Sequence, residues 1–125
     1  LNIIVVQLVV PSVRNALRIV EAMRQSGYNL ERTRLMCNRA GRESGHLSVQ
    51  NVSETLGLDV FATIPDDWDT VSGAIKLGEP LLTHSPKNKV RLSIQEIAAR
   101  FHRPLADADD KEPKKSLIGR IFANS

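Results

Sequence analysis

Residues 3–10 form a nearly unbroken apolar run dominated by valine and isoleucine, and only Gln7 interrupts it. A strand of that composition suits a parallel sheet covered on both faces, since a strand with one wet face alternates apolar and polar residues. Parallel neighbours cannot be joined by a tight hairpin. Each needs a crossover of a dozen or more residues, usually a helix. The chain supplies one at once. Pro11 and Ser12 suit a helix start, Val13, Ala16, Leu17, Val20 and Met23 build a helical apolar face, and Gly27 can end it, which predicts a helix over about 12–26.

The pattern then repeats. Residues 34–38 read as a second short strand, followed by a polar loop through Gly45 and His46. Ser48 can cap a helix carrying Val49, Val52 and Leu56, closed by Gly57. Residues 60–64 read as a third strand, terminated by Pro65 and the carboxylates Asp66 and Asp67, either of which can cap a helix through about Ile75. A break at Gly78 and Pro80 predicts a loop. Residues 88–101 are amphipathic through Val90, Leu92, Ile94, Ile97, Ala98 and Phe101, which predicts the last helix of the body. Alternating strands and helices imply an α/β domain with a parallel sheet and right-handed crossovers.

Composition narrows the function classes. At 125 residues the chain is long enough for one core and too short for two. It opens at Leu1 directly in an apolar run, which reads as the start of a cut fragment. No stretch approaches the roughly 20 apolar residues of a membrane span, so a soluble body is expected. The opening run lacks a basic segment and a cleavage site and is no signal peptide. The single cysteine, Cys37, excludes an internal disulfide framework, fits a reducing cytoplasm and reads as an inert buried thiol. Arg14 and Arg18 share a helix face, and Arg32, Arg34, Arg39 and Arg42 cluster in sequence. However, 14 acidic residues almost balance 17 basic ones without aromatic interleaving, which argues against nucleic acid. His46, His84 and His102 lack partners at metal-ligand spacing, and no serine sits in a nucleophile elbow.

Two strand ends are chemically suggestive, because ligands of open α/β sheets bind beyond the carboxyl ends of the strands. The second strand ends in Asn38-Arg39. The amide of Asn38 can donate and accept together, which matches a purine edge, and Arg39 can stack or contact ribose and phosphate. The third ends in Pro65-Asp66-Asp67, where turn and cap roles compete with ligand binding. Trp68 reads as a core or loop-packing residue, with ligand stacking as the less favoured alternative. No glycine-rich phosphate loop occurs anywhere, so this chain alone is not expected to hydrolyse ATP.

The last segment is of another kind. After a charged, proline-containing run expected to act as a linker over 103–113, Leu117, Ile118, Ile121 and Phe122 fall on one stripe of a helix over 114–125, with Lys114, Lys115 and Arg120 off it. Basic and apolar faces on one short helix suit an anionic lipid interface. Burying four such side chains yields roughly 6 to 12 kcal/mol, opposed by the ordering of the tail, so one copy binds weakly and two tethered copies bind far better. The alternative is that these residues cap the domain's own core or fray in solution.

The order strand, helix, strand ending Asn38-Arg39, helix, strand ending Pro65-Asp66-Asp67, then Lys76-Leu77-Gly78-Glu79-Pro80-Leu81, resembles the carboxyl-terminal half of the MinD/ParA class of deviant P-loop ATPases. With Pro11-Ser12-Val13-Arg14-Asn15-Ala16 after the first strand, it is most similar to the Flp pilus assembly family called CpaE or TadZ. The resemblance covers about residues 3–102. It implies a partial three-layer P-loop NTPase fold in 1–102, with Asn38 recognising adenine, Arg39 flanking it, and Pro65, Asp66 and Asp67 closing over the base. The tail resembles the MinD membrane-targeting helix. Further implications are ATP and magnesium as cofactors of the intact protein, a homodimer, pilus or secretion machinery as partners, and a cytoplasmic location peripheral on the inner membrane. A non-catalytic polar scaffold of the same fold, or a MinD/ParA-type division or partitioning ATPase, are the rival expectations. The family's amino-terminal half, with its phosphate loop and magnesium-binding aspartate, has no counterpart here.

Overall fold

The computed structural model describes residues 1–41 and 47–102. The expected linker at 103–113 and the membrane-targeting helix at 114–125, with Lys114, Lys115, Leu117, Ile118, Arg120, Ile121 and Phe122, lie outside the described residues, as do Arg42 and His46.

Three strands, β1 (Asn2–Gln7), β2 (Thr33–Ala40) and β3 (Val60–Pro65), form a parallel sheet in the order β1-β2-β3. Helix α1 (Val10–Gln25) joins the first two and α2 (Val49–Leu56) the second pair; α3 (Trp68–Leu77), α4 (Leu81–His84) and α5 (Lys89–His102) follow. The architecture is the expected parallel α/β arrangement.

Local chemistry sets the boundaries. The apolar run does not remain a strand to Val10. β1 stops at Gln7, whose N–H donates to the Ser12 hydroxyl at 3.0 Å, and α1 starts at Val10 with Pro11 in its first turn. Proline there lacks only an N–H that the helix start would leave unpaired. Ser12 therefore ties the strand end to the helix rather than capping it. Ser48 behaves as read: it forms a reciprocal capping box with Asn51, and Gly57 closes α2 in the left-handed region at φ 64°. Of the two aspartates, Asp67 is the cap of α3. The expected loop after Pro80 instead contains the short helix α4.

Val13, Ala16 and Val20 of α1 and Val52 and Leu56 of α2 close on Val6, Leu35, Cys37 and Leu58, forming the main core on one face of the sheet. Residues alternate along a strand, so Met36 looks to the other face, where α5 packs on β3 and Phe61 stacks on Phe101 with ring centroids 5.2 Å apart. Helices thus cover both faces of the sheet. Cover is incomplete at β1. Val6 is buried, but Val5 is 58% exposed, because α5 lies over β3 at the far side of a three-stranded sheet. The expectation of a strand covered on both faces, made for the first apolar run, fails for β1; the strand covered on both faces is β2.

Candidate functional site

The site begins with a slip in the ladder. Cys37 pairs with Thr63 and Ala40 with Pro65, so Asn38 and Arg39 together stand opposite Ile64. This is a bulge, and bulges re-aim side chains beside binding sites. It places Arg39 in the left-handed region at φ 56°, the one such non-glycine residue among those described. That conformation costs about 1 to 2 kcal/mol for an L-residue. Three contacts hold it. The Arg39 N–H donates to Asn38 Oδ1 at 3.0 Å, the Arg39 Nε donates to Asp66 Oδ1 at 2.8 Å, and the guanidinium lies over Trp68, 5.3 Å from the ring centroid. The Asp66 side chain is only 12% exposed, so the pair is better shielded than a surface bridge. The Asp66 N–H donates to the Ala40 carbonyl at 2.9 Å, lashing the ends of β2 and β3 together.

Asp67 has a different task. Its Oδ1 accepts from the Thr70 N–H at 3.2 Å and its Oδ2 from Asn88 Nδ2 at 2.7 Å, so one carboxylate caps α3 and reaches the residue before α5. Asn88 in turn accepts from the Val90 N–H at 2.8 Å, starting α5. The Asn88 amide, followed by Thr70, holds the Asp67 carboxyl below the ordinary carboxylate range by stabilising its charged form.

Between these groups lies a cavity of about 420 Å³. Strand ends supply Gln7, Asn38, Arg39, Ile64 and Pro65, the loop supplies Asp66 and Asp67, α3 opens with Trp68, and Val71, Leu81, Val90 and Ile94 form an apolar wall. An apolar wall with a few convergent polar groups is the usual make-up of a small-molecule site. Asn38 is the chemically richest member. Its Oδ1 keeps a second lone pair, and no described residue accepts from its Nδ2 protons. It can therefore still donate and accept side by side. A larger cavity of about 510 Å³ sits at the amino ends of the strands among Arg24, Thr33, Arg34 and Gly57. Glu31 and Asp59 line it as well, so its charges are mixed, and it lies at the wrong end of a parallel sheet for a switch-point ligand.

All five residues singled out for the base site line this cavity together. Of the other lining residues, Gln7 and Trp68 carry polar or aromatic chemistry and were not assigned to the base site. Gln7 was legible as the only polar break in an apolar run. Trp68 was expected to pack in a core or loop, yet it is 56% exposed, because Asp67 caps α3 and sets Trp68 at its first turn beside Arg39. Among the described residues, Arg34 and Arg39 of the cluster point to different tasks: Arg34 donates to the Glu31 and Thr33 carbonyls at one end of β2, while Arg39 binds Asp66 at the other. Cys37 is fully buried, and desolvation pushes its thiol pKa up. No described helix is long and apolar enough to cross a membrane.

No protein-family model matches the chain. An uncharacterized ATP-binding protein of Methanocaldococcus jannaschii is 29% identical over 120 residues, covering 96% of this chain and 44% of that protein. A ParA family ATPase from Chlorobium tepidum superposes with a TM-score of 0.69 at 21% identity, over 78% of this chain and 39% of that one. The septum site-determining protein MinD of Pyrococcus horikoshii, complexed with Mg-ADP, gives 0.65 at 18% identity, over 87% of this chain and 43% of that one. The chain thus spans less than half the length of the proteins it matches, and over that span it has the three-layer fold of the MinD/ParA-like P-loop NTPases.

Proposed function

We propose that this chain is the adenine-side, carboxyl-terminal portion of an ATP-binding, dimerising ATPase that localises Flp or type IV pilus (Tad secretion) machinery at the inner membrane. The observation that carries the adenine reading is the bulge that sets Asn38 and Arg39 beside Pro65, Asp66 and Asp67 over an apolar-walled cavity at the carboxyl ends of the strands. Adenine presents an acceptor at N7 beside a donor at N6, which an amide matches by donating and accepting together; guanine presents two acceptors there and leaves the amide oxygen unpaired. Arg39 and the Pro65–Asp67 loop flank the base. A relative carrying the name of an ATP-binding protein, and a matched fold seen with Mg-ADP, agree with this chemistry. Phosphate and magnesium ligands belong to the intact protein, since this sequence contains no phosphate loop.

In that intact protein, ATP between two copies brings two tails to one bilayer, and hydrolysis releases them. Leu117, Ile118, Ile121 and Phe122 enter the lipid while Lys114, Lys115 and Arg120 meet anionic headgroups. The pilus assignment rests on the motif order that resembles the CpaE or TadZ family. A scaffold of the same fold, retaining partner and membrane binding without hydrolysis, is separated from this reading by ATPase measurement on the whole gene product.

The decisive test is Asn38→Ala in the intact protein. Losing one edge-reading amide is expected to weaken ATP binding by about 5- to 100-fold with little change for GTP. Unchanged ATP affinity removes Asn38 from the site. For the tail, Ile121→Asp or Phe122→Asp is expected to abolish sedimentation with anionic liposomes and leave the circular dichroism of the body unaltered. Variants that sediment like the parent remove the anchor.

A further inference from the structure

Trp68 is left in water although an indole gains more than most side chains from burial. It is 56% exposed at the mouth of the cavity, on backbone that the Asp67 cap fixes from two sides. What lies over it is the planar guanidinium of Arg39, drawn there from left-handed backbone and anchored through Nε on Asp66. A rigid aromatic face, half solvated and covered by a planar cation, is the arrangement of a stacking platform occupied by a stand-in.

We infer that Trp68 is the stacking wall for a purine base and that Arg39 covers the same ring in the ligand-free state, so that base and guanidinium compete for it. The inference rests on the adenine reading of Asn38 and deepens it. Asn38 reads the edge of the base, which fixes identity, whereas Trp68 takes its face, which is tolerant of sequence but demands a flat ring. The magnitudes favour exchange. Stacking a base on an aromatic side chain corresponds to roughly 5- to 150-fold in affinity, and an exposed cation–π contact to only about 2- to 5-fold. Arg39 therefore weakens nucleoside binding modestly while it covers the indole, and once a base takes the ring it moves beside the base, still anchored on Asp66.

Trp68 is the chain's single tryptophan, so its emission reports the event directly. Adenosine is the suitable probe, because without phosphates it cannot draw Arg39 by charge. In the 125-residue chain, adenosine is expected to change Trp68 fluorescence saturably. By calorimetry, Trp68→Ala is expected to lose roughly tenfold or more in adenosine affinity, Trp68→Phe to stay within about threefold, and Arg39→Gln to tighten binding about 2- to 5-fold. Circular dichroism verifies that each variant is folded. If Trp68→Ala binds adenosine like the parent while Asn38→Ala does not bind, the adenine site stands and the stacking wall is overturned. If Arg39→Gln fails to tighten binding, the competition is overturned. If the parent and Asn38→Ala bind equally, or neither binds, the adenine reading itself falls and takes the stacking wall with it.

Discussion

Asp67 shows how one carboxylate organises a loop. Because Asn88 and Thr70 stabilise its charged form, its native pKa lies below that of the unfolded chain. The unfolded state then binds more protons in the window between the two values, so the stability Asp67 contributes is fully present above the ordinary carboxylate pKa of about 4 and is lost as pH falls through its depressed native value. Asp67→Asn is expected to flatten this acid-side loss, measured as denaturant midpoint against pH from 6 down to 3. Cys37 has the opposite character. With no exposed surface and a thiol pKa raised by burial, it should react with a thiol reagent only at the rate at which the chain opens. Labelling as fast in the native state as in denaturant would place Cys37 outside the core. Its burial was legible in the sequence, since a lone cysteine inside an apolar strand packs like its apolar neighbours. The role of Trp68 was not legible. Whether an indole after an acidic turn packs inward depends on which of two adjacent aspartates becomes the cap, and Asp67, the one that does, is also bound by Asn88, 21 residues away.

Elements whose limits are set by neighbours in sequence were the most readable. Ser48 and Gly57 bound α2 through a capping box and a left-handed glycine, and both signals lie within the helix's own ten residues. Ser48→Ala is expected to cost about 1 kcal/mol, read from a urea titration, with no change in the slope. Leu35, fully buried in β2 between α1 and α2, belongs to another class: Leu35→Ala is expected to cost about 2 to 5 kcal/mol, and a smaller loss would mean that the core collapses around the cavity. The end of β1 was misread because apolar character is shared by a buried strand and the first turn of a helix. Composition cannot separate them, and the break falls where the Gln7 N–H finds the Ser12 hydroxyl instead of a strand partner. The bulge in β2 was equally hidden. Asn38 and Arg39 were recognisable as chemistry, but that they share one place opposite Ile64 is a property of the pairing, not of either segment.

Across the whole molecule the parallel α/β plan was legible because it depends only on alternation and on glycine and proline punctuation, while the three-layer P-loop form came from the resemblance. How the faces are covered was not legible, since burial is fixed by the number and order of strands. Val5 illustrates this: it belongs to the apolar run, yet its face stays open beside an outer strand. Apolar side chains on an uncovered sheet face favour association. Val5→Lys is therefore expected to reduce self-association of the 125-residue chain in sedimentation velocity without changing its circular dichroism; an unchanged distribution of species would place the contact elsewhere. The order β1-β2-β3 carries one more implication. Each strand pairs with its successor along the chain, so no pairing must wait for a distant segment, and every closed loop is one helix and its turns. Search times for such contacts are short. Within these three strands, β1 and β2 can pair once α1 and the second strand are present and β3 can add to that seed, so the base-binding loop is the last part of this three-stranded unit to be set.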